Sequence, residues 1–305
     1  MLLSTQNHIA MNDLGPEGSI QTLKNEGFDA FDLSLFSISY SPKCVFNAPD
    51  YKEKMAELRR FADGIGMPCN QSHAPFSYNY RLTPNVLEER VIPETARAIE
   101  ISAIMGAKHV VVHPLHDSSH VAGIDLDYPA CAAELKELNM KFYRALLPYA
   151  KEYGVKIALE NMWRKHAKRG CIYDSACSRA TEFADWYDTL DDDNFICLLD
   201  IGHSGLVGEE PWDAIRILGH DRLKGLHVHD NDYKADQHTM PGMGNIDWEQ
   251  VMKALSDIDY TGDFTFEADS FFDKMPREMR SEGRKLIASM GRYLISRFDY
   301  YQSQK

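Results

Sequence analysis

The sequence is short of paired cysteines, long apolar runs and basic charge, and each shortage removes a class of protein. Its six cysteines, Cys44, Cys69, Cys131, Cys171, Cys177 and Cys197, are scattered without a CxxC pair, which argues against a disulfide framework and a cysteine-rich zinc module. No stretch approaches the ~20 apolar residues that cross a bilayer, so no membrane partner is expected. The opening residues MLLSTQNHIAMNDLG lack the basic start and apolar stretch of a secretion signal. With reduced thiols, the expected location is the cytoplasm. Acidic residues outnumber basic ones 46 to 33, a formal charge of −13, which repels polyanions and makes nucleic acid an unexpected partner. No linker rich in Pro, Gly or Ser interrupts the chain, so residues 1–305 read as one domain.

What is present is a soluble composition, 44% hydrophobic and 26% charged, able to bury a sizeable core. Short β-type runs alternate with longer segments of helical period, the pattern of βα units around a parallel sheet. Strands are expected at 2–7, 28–35, 68–73, 108–113, 155–160, 195–200, 223–229 and 262–268. Helices are expected at 17–26, 50–65, 84–105, 129–153, 177–189, 211–218, 247–257 and 276–297. Gly66 and Gly106 follow the second and third helices as stop signals. Val110, Val111 and Val112 form a continuous apolar run, as a strand covered on both faces requires. Eight strands, each followed by a helix, indicate a single closed (β/α)8 TIM barrel.

The polar residues stand where the apolar strands stop. Strand three ends in His73, four in His113, five in Glu160, six in Asp200, seven in His229 and eight in Glu267. Barrel strands are parallel, so all six ends lie at one mouth. A lone histidine there is ordinarily a hydrogen-bonded structural residue, and a lone carboxylate is often a helix N-cap. Yet a carboxylate buried after Val-Lys-Ile-Ala-Leu costs several kcal/mol unless a cation or hydrogen bonds compensate. Six such residues at one mouth point to a divalent cation, and mixed imidazole and carboxylate donors suit Zn, Mn, Co or Fe. His203 in LLDIGH, and Asp236 and His238 on the following loop, are further candidates. His227, two residues before His229, shares its side of the strand and reads as a ligand's partner or a barrel-interior residue. The segment 163–169 places Arg164, Lys165, Lys168 and Arg169 within six residues. It is either a solvated loop or, through Arg164 and Lys165, a contact for substrate or phosphate.

These residues carry a resemblance over nearly the whole chain. NQSHAPF (70–76), VVVHP (110–114), ALEN (158–161), LLDIGH (198–203), HVHDND (227–232), DQHTMPGMGNIDW (236–248) and FTFEAD (264–269) resemble the sugar phosphate isomerase/epimerase family. These are the xylose-isomerase-like TIM barrels, which also include endonuclease IV. Resemblance to the ketose 3-epimerase branch implies one metal held by Glu160, Asp200, His229 and Glu267, with His203 touching substrate. Where that branch has an arginine six residues past the metal histidine, this chain has Ala235. Resemblance to endonuclease IV implies up to three ions on His73, His113, Glu160, Asp200, His203, His229, Asp236, His238 and Glu267. The reading that follows is a metal-dependent isomerase or epimerase of a sugar, sugar phosphate or polyol ketone. Glu160 and Glu267 exchange a proton through a metal-stabilised enediolate, and His203 orients substrate. A multinuclear zinc phosphodiesterase and an inosose-dehydratase-like lyase are the alternatives, and a homo-oligomer is left open.

Overall fold

A computed structural model describes residues 1–76, 85–115, 128–166 and 169–305, with the backbone alone at 128–130. Eight strands form one sheet: β1 (Leu3–Gln6), β2 (Ala30–Ser34), β3 (Cys69–His73), β4 (His109–Val112), β5 (Lys156–Glu160), β6 (Phe195–Asp200), β7 (Leu223–His227) and β8 (Phe264–Phe266). They pair in parallel in the order β8-β1-β2-β3-β4-β5-β6-β7. The two edges meet at a parallel bridge between Val228 and Phe266. There the Val228 amide donates to Thr265 O (2.9 Å) and the Glu267 amide to Val228 O (3.1 Å). Eight parallel strands closed in this way make the TIM barrel that the strand count anticipates.

Helices fill the intervals: α1 (His8–Asn25), α2 (Tyr51–Gly64), α3 (Ile92–Met105), α4 (Tyr128–Tyr153), α5 (Ala180–Leu190), α6 (Pro211–Arg222), α7 (Trp248–Asp257) and α8 (Arg280–Ser303). Several boundaries differ from the sequence expectation, two of them for evident local reasons. The α1 segment starts nine residues earlier than expected but is broken at Gly15 (φ 75°, ψ 175°), after which Pro16 begins the expected stretch. Position 84 lies outside the described residues, and within the rest of the expected span α3 starts at Ile92, where Pro93 in its first turn has no amide to donate. A π-helical turn, Leu87–Val91, precedes it. Strand seven also stops two residues short of its expected end, at His227. Among the described residues no helix is long and apolar enough to cross a membrane.

Period-two alternation sorts each strand into two faces. Outward residues such as Leu33, Val110, Val112, Leu159, Leu199, Phe264 and Phe266 pack with Ile99, Phe183, Leu255 and Ile287 of the helices in one continuous core. Each such burial contributes about 1.5–3 kcal/mol. The barrel interior is divided. Val111, Ala158, Ile196 and Leu198 make a small apolar cluster. Opposite it, Ser4 bonds Thr265 (2.7 Å), Gln71 donates to Asp32 (2.9 Å), and His109 lies 3.2 Å from Gln71 Oε1.

One buried ion pair ties the last helix to the first. Arg284 of α8 donates from Nε and Nη2 to Glu26 Oε2 (2.6 Å) and Oε1 (2.9 Å) just past α1. Both side chains are nearly inaccessible. Removing one partner strands a buried charge, which typically costs about 3–5 kcal/mol. Arg284→Met is therefore expected to lower the unfolding free energy in urea by that amount, and adding Glu26→Leu to recover much of it. An Arg284→Met midpoint equal to the parent's would show that the pair does not hold these helices.

Candidate metal centre

The inward face at the C-terminal ends of the strands carries a continuous cluster of imidazoles and carboxylates. Glu160 stands at its centre, 1% exposed. Its Oε1 lies 3.0 Å from His227 Nδ1, and its Oε2 lies 2.9 Å from His113 Nε2 without an aligned hydrogen bond. His73 Nε2 sits 3.1 Å from His113 Nε2 and 3.7 Å from Glu160. Glu267 reaches the same His227 Nδ1 from the other side at 3.0 Å and accepts from Gln6 Nε2 at 2.6 Å.

Asp200 joins this group to a second one. It accepts the His203 amide at 2.7 Å as the N-cap of a short helix, Ile201–Leu206, and lies 2.9 Å from His229 Nε2. The lone-carboxylate reading as a cap thus holds for Asp200, and the residue serves the cluster as well. His229 stacks on His238 with centroids 4.0 Å apart. Asp236 faces His238 Nε2 (2.9 Å), His203 Nε2 (3.6 Å) and His229 Nε2 (3.7 Å).

Four overlapping sets place one donor atom from each member within 4.8 Å of the others: His73, His113 and Glu160; His73, His227 and Glu267; Glu160, Asp200, His227 and Glu267; and His203, His229, Asp236 and His238. The donor chemistry fits a divalent cation. His73, His203 and His238 each donate Nδ1–H to a backbone carbonyl, of Ala74, Asn161 and Glu267, at 2.8 Å. That bond fixes the tautomer and turns Nε2 toward the cluster, the arrangement that metal-ligating histidines need. Glu160 Oε2, Asp236 Oδ1 and His229 Nδ1 are buried polar atoms with no hydrogen-bond partner, an expensive state unless a cation completes it.

The electrostatics follow from this crowding. Burial would push the Glu160 carboxyl up, but His227 and His113 outweigh it and hold it well below its usual range. Asp236 is likewise raised by burial and held far lower by His238 and His203. The reciprocal effect raises His203 to about 10, with Asp200 and Asp236 overcoming its burial. His113 is lowered, since burial exceeds the pull of Glu160. Protons on His203, His227 and His238, which the neighbouring carboxylates favour, offset negative charge where a cation otherwise would.

The structure thus brings together His73, His113, Glu160, Asp200, His203, His229, Asp236, His238 and Glu267, and the donors fall into the four groups named above. His229 lies against Asp200, and His227, expected as a ligand's partner or a barrel-interior residue, lies 3.0 Å from both Glu160 and Glu267. The segment at 163–169 is in part a hairpin, Trp163–Lys165 against Ile172–Asp174. Arg164 is buried with its guanidinium 5.7 Å from the Tyr173 ring, because a cross-strand partner covers it, and Lys165 is exposed. Lys168 lies outside the described residues. Trp163 Nε1 donates to Asp236 (3.3 Å).

Sequence reasoning missed the supports. Asp32 and Gln71 hold the far side of His227, whose Nε2 lies 3.1 Å from Gln71 Nε2 and 3.7 Å from Asp32. The argument that marks Glu160, a carboxylate in an apolar run, applies equally to Asp32 in FDAFDLSL. Asp230 accepts from Trp248 Nε1 (2.9 Å) and from the amides of Gly242 (2.8 Å), Asn231 (2.9 Å) and Ile246 (3.2 Å), anchoring the loop that carries Asp236 and His238.

With this geometry in place, the comparisons with known proteins assign the family. The family model described as xylose isomerase-like TIM barrel matches residues 20–289, and the chain belongs to that family. It is 29% identical over 258 residues to an uncharacterized protein of Methanocaldococcus jannaschii, covering 82% of this chain and 78% of that one. It is 30% identical over 189 residues to an inosose dehydratase of Clostridium perfringens, covering 54% and 59%. Among solved structures, D-psicose 3-epimerase with D-tagatose from Clostridium cellulolyticum H10 superposes with a TM-score of 0.71 at 17% identity, covering 97% of this chain and 99% of that one. At that identity the likeness is one of fold.

A Cβ on Gly202 would overlap the His229 ring, so the glycine of LLDIGH is what lets His229 approach Asp200. Displacing a group that orients a ligand typically costs 10–100-fold in metal affinity. Gly202→Ala is expected to lower zinc or manganese affinity by at least about tenfold, read by competition with a chromogenic chelator. Parent-like affinity would remove His229 from the centre.

Proposed function

We propose that the protein is a metal-dependent sugar epimerase or isomerase that moves a proton on the carbon beside a ketone. The observation that carries this reading is that Glu160 and Glu267 approach one point, His227 Nδ1, from different strands. Two carboxylates so placed can take a proton from one face of a carbon and return it to the other, which inverts the centre. Glu160, Asp200 and Glu267 would hold the divalent ion, with a histidine completing the set. His229 is the one the family resemblance implies, and His227 is the one grouped with the carboxylates. When bound, the ion acts as a Lewis acid on the carbonyl and stabilises negative charge on its oxygen. His203, with Nδ1 held by Asn161 O, is placed to orient a substrate oxygen. The sequence relatives named inosose dehydratase and D-psicose 3-epimerase support a sugar or polyol ketone as substrate.

Incubation with a ketose substrate in deuterium oxide is expected to place deuterium on that carbon. Glu267→Gln should suppress exchange by about 10²–10⁴, with metal content measured in the same sample. A variant that keeps its metal and exchanges at the parental rate would reduce Glu267 to a ligand and end the two-carboxylate mechanism. Metal content of Asp200→Ala, His227→Ala and His229→Ala identifies the fourth ligand, and undiminished metal in all three would reject the site.

The separate groupings at His73, His113 and Glu160 and at His203, His229, Asp236 and His238 favour a second reading, a multinuclear phosphodiesterase. The charge of −13 opposes it for polyanionic substrates. Abasic-site duplex is expected to remain intact with added zinc at low and moderate salt. Metal-dependent nicking that disappears in His73→Ala would promote this reading over the first.

A further inference from the structure

One polar pair at the mouth belongs to none of the metal groupings. His8 and Asp269 stand two residues beyond Gln6 and Glu267, the hydrogen-bonded pair at the ends of β1 and β8. His8 opens α1 and Asp269 immediately precedes the short helix Ser270–Asp273, so the pair lies on the loop side of that end of the barrel. His8 Nδ1 lies 2.8 Å from Asp269 Oδ2. Asp269 is 8% exposed, yet its Oδ1 has no hydrogen-bond partner, and His8 Nδ1 has no aligned one. The ordinary explanation for such an aspartate, capping the short helix Ser270–Asp273, fails because its side chain makes no capping bond.

The surroundings define what the pair would bind. The His8 ring packs on Phe36 (5.7 Å between centroids), Phe36 on His73 (4.9 Å) and on Phe76 (5.0 Å), and Phe76 on His113 (4.8 Å). An aromatic wall therefore runs from the pair to the histidines of the cluster. Phe76 is 37% exposed, so part of that wall is open. Among the described residues, no lysine or arginine pairs with Asp269, and Glu267 lies on the same side. A carboxylate and an imidazole beside aromatic faces match a hydroxyl-bearing carbon chain, whose O–H groups donate to the carboxylate and whose C–H groups lie on the rings. Among the described residues no lysine or arginine joins the pair, so a phosphate there would meet two carboxylates and, as a counter-charge, only the His8 imidazole.

We propose that His8 and Asp269 form a distal subsite that holds the hydroxyl groups at the far end of an uncharged polyol ketone, with Phe36 and Phe76 as its apolar side. This rests on the reading of the mouth as a sugar site and narrows it to substrates without phosphate at that end.

The test measures binding separately from turnover. Saturation-transfer NMR with the metal-loaded protein would compare D-fructose, D-tagatose, D-psicose and an inosose with D-fructose 6-phosphate. Asp269→Asn and His8→Ala would be measured beside the parent, each with its metal content and thermal midpoint. A hydrogen bond to a charged group contributes about 1.5–3 kcal/mol, so loss of Asp269 is expected to weaken the free sugar about tenfold or more. In exchange kinetics this loss would appear in KM with kcat largely retained. Binding of an uncharged sugar without deuterium exchange would sink the proposed reaction and leave the subsite standing. The subsite is overturned if no uncharged sugar binds the parent, if both variants bind it as the parent does, or if the phosphorylated ketose binds more tightly than the free one.

Discussion

The mouth of the barrel is organised around a buried carboxylate. Glu160 follows an apolar strand and is 1% exposed, and ionised burial of that kind is untenable without compensation of several kcal/mol. The compensation comes from His113, His227 and, farther off, His73. Those rings bring carboxylates of their own, and the network spreads until Asp32, Asp200, Asp236 and Glu267 are all engaged. A cluster of this composition has two ways to satisfy itself, protons on the imidazoles or metal ions between the donors, and metal binding would release those protons.

What keeps the cluster from collapsing is backbone. Carbonyls of Ala74, Asn161 and Glu267 hold His73, His203 and His238 by Nδ1. Asn161 also spans to β6, accepting the Asp200 amide (2.7 Å) and donating to Asp200 O (3.0 Å). Asp230 plays the same part for the loop after β7. These bonds fix ring orientation, on which ligand geometry depends.

The barrel interior beneath the cluster continues the polar theme on one side only. Gln71 links His109, His227, Asp32 and Thr265, and Asn70 continues toward Asp263, which Lys108 pairs with near the surface (2.9 Å). Connected networks of this kind specify a single packing more strictly than an apolar interior does. Val111, Ala158, Ile196 and Leu198 fill the other side, where no ligand has to be oriented.

The strands and most of the site were legible from the chain because their signals are local: period-two apolar runs, stop signals such as Gly106, and polar residues at the ends of those runs. The eight strand ends had to share one mouth once the strands were parallel, and Glu160, Asp200 and Glu267 follow from that. How the donors group was decided by tertiary structure alone. The exit angle of the chain after β7 turns His229 toward Asp200 and leaves His227 between two glutamates, and the close approach at Gly202 permits it. Asp32 becomes meaningful only when β2 lies beside β3 and faces His227, and the His8–Asp269 pair only when β1 and β8 are neighbours, because each role depends on partners distant in sequence.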